Sequence, residues 1–188
     1  MSKLTVVFLK DTGHVLAALT RADPPASAEP VSALVNKGLP VSAVDGTPAD
    51  VILPAANLAA VTVADDQPEV LINPQNFQVI QDPQGQAPPQ VKNFGAPGST
   101  IILTLNAASG ATVTVTGVPS ATSLPAVVVL QKVTSPSLAP TILAPVTVTV
   151  GSGGTVVSDQ TGFAANDKWN MLAFVQGLRP VASGVKKL

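Results

Sequence analysis

The sequence predicts an all-β fold, an antiparallel sandwich or barrel built as one or two modules with at most one or two short helices. Three observations predict it. Short apolar runs recur every 8–12 residues, each bounded by Pro, Gly, Asp or Asn. Val and Thr alternate within the later runs, the period-2 pattern of a half-buried sheet. Eighteen prolines and fourteen glycines exclude a helical bundle, since each interior Pro costs a helix about 3 kcal/mol.

Taken in order, Thr5–Leu9 is β-branched and aromatic and suits a strand. Asp11-Thr12-Gly13 supplies a turn, and His14–Thr20 returns as a second strand to close a hairpin. Residues 22–30 form a loop. The segment Pro30–Asn36 fits a short helix, with Pro at its start and Gly38 past its end, and fits a strand equally well. Val41–Val44, Val51–Leu53, Leu58–Val63, Val70–Ile72 and Phe77–Ile80 are the next strand-length runs. Asn73-Pro74 and Asp82-Pro83 start turns between or after them.

Residues 81–99 are poor in apolar side chains and hold four prolines and three glycines, the composition of a connection. The expected organisation is therefore an N-terminal β module over 1–82, a Pro/Gly-rich connection over 83–99, and a sandwich-like module over 100–188. Phe94 is expected to pack onto a flanking module.

Beyond the connection, Ile101–Leu105 and Ala111–Thr116 make a second hairpin, and Ala126–Val133, Val146–Val150 and Thr155–Val157 supply further strands. Pro119, Pro125, Pro136, Pro140 and Pro145 are expected between the runs, where they interrupt no ladder. The segment after Asn166-Asp167 reads two ways. As a helix it has a cap in front and Gly177 and Pro180 behind. As a strand, the preferred reading, it puts Trp169, Met171, Ala173 and Val175 on one face and Leu172 and Phe174 on the other. That pattern fits a strand buried on both sides, sealing a core or an interface.

Charge is the feature that bears on function. From Asn93 to Ser158, a stretch of 66 residues, the chain carries one charged side chain, Lys132. Overall 11% of residues are charged, against roughly 25% in an average soluble protein, and the net charge is −1. Nucleic-acid binding needs clustered Lys and Arg. The one basic pair, Lys186-Lys187, is better read as a solvated tail, so no nucleic-acid partner is expected. The apolar fraction of 46% excludes a disordered chain.

The chemistry-bearing residues are few. There is no Cys, so no disulfide or thiolate metal site. His14 is the single histidine, and no Gly-x-Ser-x-Gly elbow presents it with a nucleophile; it is expected to flank a turn. Asp65-Asp66 with Glu69, and Asp45 with Asp50, are the carboxylate groupings. The first is the better candidate for calcium, yet neither has EF-hand spacing and both read as loop solvation. Gly151-Ser152-Gly153-Gly154 lacks the Lys-Ser/Thr ending of a phosphate loop. Catalytic residues, metal and cofactor are all expected to be absent. No apolar run reaches the roughly 20 residues of a membrane span. The six-residue apolar core Leu4–Leu9 is shorter than the roughly 7–15 residues of a secretory signal. A cytoplasmic product is expected, with release as part of a particle allowed.

These exclusions leave an expectation of a non-enzymatic structural subunit. It would associate with itself or with other subunits through uncharged strands, as in a phage-tail-like or contractile injection particle, a capsid decoration or a fibre. The interface candidates are Thr112, Thr114, Thr116, Thr147, Thr149, Trp169 and Phe174. The alternative is an Ig-like module that binds a protein or carbohydrate through its loops.

Overall fold

A computed structural model describes residues 3–21, 30–41, 51–63, 67–82, 84–94, 100–106, 110–117, 123–132, 141–142, 146–150, 155–158 and 168–187. The fold is all-β, built of small antiparallel sheets with two short helices. The chain divides into two compact units, Met1–Leu39 with Leu53–Gly95, and Pro40–Ile52 with Ala96–Leu188.

In the first unit, β1 (Lys3–Leu9) and β2 (Val15–Arg21) form the expected hairpin, and β5 (Leu58–Val63) pairs antiparallel with the other edge of β1. Alternation then sorts the side chains. Leu4, Val6 and Phe8 point to one face, and Leu4 is in register with Val63, Val6 with Val61 and Phe8 with Ala59. That face is closed by Val70 of helix α2 (Pro68–Ile72) and by Phe77, Val79 and Val91. The last three come from the hairpin of β6 (Phe77–Ile80) and β7 (Gln90–Asn93). Val7 and Leu9, on the opposite face, are buried as well. A strand buried on both sides draws roughly 1.5–3 kcal/mol from each large apolar side chain, which explains the unbroken Val-Val-Phe-Leu run.

In this unit one open reading is resolved and two expectations change. The Pro30–Asn36 segment, open between helix and strand, is helix α1 (Val31–Val35), and Asn36 ends it at φ +53°. The Val70–Ile72 run is helical, because Pro68 sits at the start of α2 with Glu69 in its first turn. Within the stretch read as connection, Gln90–Asn93 forms β7, and Phe94 is buried beside it with its N–H donating to the Asn76 carbonyl at 2.9 Å. Gly38–Val41 (β3) and Val51–Pro54 (β4) pair as a separate two-stranded sheet.

The second unit is a two-sheet sandwich. One sheet has the order β13-β9-β8, from Thr155–Ser158, Gly110–Thr116 and Thr100–Asn106. The other is centred on β10 (Ser123–Lys132), whose partners are β14 (Lys168–Val175), β11 (Thr141–Ile142) and β12 (Val146–Thr149), with β15 (Val181–Lys187) beyond β14. Ile101, Leu103, Val113 and Val115 of the smaller sheet share one core with Ala126, Val128, Leu130, Val148, Met171, Ala173 and Val175 of the larger. The Lys168–Val175 segment is therefore a strand. Its second face is buried too: Phe174 lies opposite Val127 and Leu172 opposite Val129, and all four are buried.

Of the five prolines expected between the runs, Pro119, Pro136, Pro140 and Pro145 lie outside the described residues, and Pro125 departs from the expected placement. It lies inside β10, opposite Thr147 of β12. The ladder with β14 begins one residue later at Ala126, so the missing N–H falls where that side is incomplete. The Pro125 carbonyl is still used, accepting from Gln176 N at 2.9 Å.

Candidate functional site

His14 is 1% exposed, with Nδ1 at 2.9 Å from Thr12 Oγ1 and its ring centroid 4.9 Å from that of Phe94. Thr12 is buried as well, so this hydroxyl–imidazole pair is out of a substrate's reach. The local backbone explains the position. Leu9 N donates to His14 O and Gly13 N to Leu9 O, a tight turn that needs Gly13 at φ +77°. Val79 N then donates to Gly13 O at 2.7 Å, and His14 forms a bridge with Gln78, tying the turn to β6. The arrangement is a structural rivet.

Of the carboxylates, Glu69 is exposed on α2, whereas Asp45, Asp50, Asp65 and Asp66 lie outside the described residues, as do Gly151–Gly154. Among the described residues no group of three or more His, Asp or Glu side chains could hold a metal ion, and no helix is long and apolar enough to cross a membrane. Asp82 has a clear task. Its carboxylate accepts from the N–H groups of Gln84 at 3.0 Å and of Gln86 and Ala87 at 2.9 Å each. Those bonds, Gln84 and Ala87 foremost, hold its pKa below the ordinary aspartate value. Asp82 thus organises the start of the Pro/Gly-rich stretch.

The surface candidates divide into three groups. Thr112, Thr114 and Thr116 lie half-buried on the outward face of β9, since Ala111, Val113 and Val115 occupy its inward face. Beside them on β8, Ile102 is 50% exposed and Thr104 is exposed. The register places Ile102 opposite Thr114 and Thr104 opposite Thr112. This outward face of hydroxyls and one large apolar side chain carries no charge on either strand. A second uncharged surface joins exposed Thr147 and Thr149 of β12 to exposed Pro125 and Ser123 of β10, their register partners.

The third group belongs to the strand β14. Trp169 is half-buried against the sandwich core, opposite Lys132, whose Nζ stands 5.9 Å from the ring centroid. The single charge of the 93–158 stretch is thus spent on a cation–π contact within the chain. Phe174 is 0% exposed and corrects its assignment as an interface residue: it fills the chain's own core and presents no surface to a partner. One pair escaped notice in the sequence. Gln131 and Asn170 are register partners, and Gln131 Oε1 and Asn170 Oδ1 are buried without a hydrogen-bond donor. Only the β10–β14 pairing reveals them.

No protein-family model matches the chain, and no curated protein or solved structure matches it significantly.

Proposed function

We propose that this protein is a non-enzymatic structural subunit of a multi-chain assembly, associating through uncharged β surfaces of its second unit. A phage-tail-like or contractile injection particle, a capsid decoration or a fibre is the kind of assembly meant. The observation that carries the reading is the outward face of β8 and β9. Its described side chains, Ile102, Thr104, Thr112, Thr114 and Thr116, are all uncharged, and Ile102 is half exposed. Free β proteins guard such strands with charge. Subunits that meet identical neighbours gain from its absence, because like-charge repulsion between copies is small and hydroxyls are cheaply desolvated when paired.

Light scattering on the purified chain tests this. Self-association at tens of micromolar, or incorporation into a particle purified from the source cell, is the expected result. A monomer that enters no particle would sink the proposal.

A further inference from the structure

We infer that one end of the larger sheet in the second unit, where Lys132, Lys168, Lys186 and Lys187 come side by side, binds a compact phosphate-type oxyanion carrying several negative charges. In sequence only Lys186-Lys187 is a pair; strand pairing assembles the rest. Strand β10 ends at Lys132, β14 begins at Lys168 and β15 ends at Lys187, so the same end of the sheet carries all four. The register sets Lys132 opposite Trp169 and Trp169 opposite Lys186, a Lys-Trp-Lys row across three strands. One step along, Lys168 is directly opposite Lys187. Neighbouring strands lie about 4.8 Å apart, so the four backbone positions fall within roughly 10 Å of one another. The other basic residue of this unit, Arg179, lies between β14 and β15 at the opposite end of those strands.

This placement is unfavourable without a counter-charge. Like charges directly opposite each other in a sheet destabilise it, and the unit otherwise avoids charge: from Asn93 to Ser158 it holds Lys132 alone. Solvation of a tail does not account for the cluster, because Lys186 and Lys187 belong to a paired strand. Guarding a sheet edge accounts for lysines on β15 but not for Lys168, since β14 is an inner strand between β10 and β15. The acids nearest in sequence, Asp159 and Asp167, lie outside the described residues, and two carboxylates leave four lysines in excess.

The ligand class follows from the arrangement. Lysine ammonium groups act as point charges and suit phosphate oxygens. Four of them confined to one sheet end fit a compact polyanion, whereas a nucleic-acid backbone asks for a longer basic track.

Trp169 is the chain's one tryptophan, and Lys132 Nζ stands 5.9 Å from its ring centroid, so its fluorescence reports on this end of the sheet. Inorganic tripolyphosphate is expected to change that fluorescence saturably and to raise the thermal midpoint, and NaCl of equal ionic strength to do neither. Lys168→Gln with Lys187→Gln should weaken binding about tenfold or more. Lys92→Gln, in the first unit, should leave it unchanged. Circular dichroism establishes that each variant is folded. Lys187→Glu separates a ligand site from lysines that are merely solvated. It turns opposed like charges into an attractive pair, so the free protein should melt higher, and tripolyphosphate should no longer raise its midpoint. Vesicles of phosphatidylcholine with and without phosphatidylinositol bisphosphate identify the source. Co-sedimentation only with the phosphoinositide assigns a lipid headgroup; no co-sedimentation beside tripolyphosphate binding assigns a soluble phosphate compound.

No response to tripolyphosphate, a response that NaCl matches, or binding that survives in the double glutamine variant overturns the inference. A Lys187→Glu chain that melts lower than wild type, or that still gains from tripolyphosphate, does the same. None of these results moves the assembly reading, which rests on the outward face of β8 and β9.

Discussion

The two units reach stability by different means. The first relies on single points: a glycine under a carbonyl, a buried His–Thr pair against Phe94, and an aspartate holding a loop. The second relies on repetition, with Val, Ala, Ile and Leu from two sheets interdigitating across one core. Point-built structure is sensitive at a few atoms. Ladder-built structure spreads the same demand over many side chains, and it leaves the outer Thr positions free to vary or to meet a partner.

Mutations can break or sharpen this contrast. The largest effect is expected at Phe174, the largest of the side chains buried almost without exposure. Phe174→Ala leaves a cavity beside its register partner Val127 and should cost about 3–5 kcal/mol, read as a shift of the denaturation midpoint. It should not act by dissociating an oligomer, so a loss of self-association with unchanged stability would put Phe174 back at an interface.

Gly13→Ala comes next and tests the opposite unit. A Cβ there would sit 2.5 Å from the Val79 carbonyl oxygen, on a backbone held at φ +77°. A cost of about 2–4 kcal/mol is expected from clash and strain together. One added carbon should thus rival the loss of a whole aromatic ring in the second unit. A near-neutral result would show that the turn is not the rivet described.

A smaller effect of opposite sign is expected at the buried amides. Because Gln131 Oε1 and Asn170 Oδ1 have no donor, Gln131→Met with Asn170→Leu should raise stability by about 1 kcal/mol. A fall in thermal midpoint instead would mean that the amides are satisfied in solution.

The smallest effect is local. The carboxylate pKa of Asp82 is depressed in the folded loop, so its contribution is present above the ordinary aspartate value and is lost as pH falls through the lower, folded one. Amide chemical shifts of Gln84, Gln86 and Ala87 should stay constant from neutral pH into the mildly acidic range and move together only below it. Asp82→Asn should show the moved shifts at every pH.

Much of the strand content was legible because it follows from local rules. The β1–β2 hairpin needs only two apolar runs around Asp-Thr-Gly, β8 needs only its Ile/Leu run, and β9 and β12 need only Thr/Val alternation. Short segments were harder. Val70–Ile72 has apolar residues enough for a strand, and the proline two positions earlier tips it to a helix turn. Gln90–Asn93 looks like linker by composition and becomes a strand because β6 offers it a ladder. Pro125 entered a strand because β14 stops pairing beside it.

The candidate surface was partly legible. Period-2 alternation places Thr112, Thr114 and Thr116 together on one face without any structure. It cannot say that both apolar faces of β14 are buried within the chain, which takes Phe174 off the surface.

By itself, the amino-acid order determined an all-β chain, its main hairpins, and a central stretch almost devoid of ions, since turn chemistry, side-chain alternation and charge are properties of neighbours along the chain. Tertiary structure alone decided that Gly13 lies beneath Val79, that Lys132 covers Trp169, and that Phe174 is enclosed by its own chain. Those facts depend on which distant strands lie side by side, and strand pairing is fixed by the burial of whole faces at once.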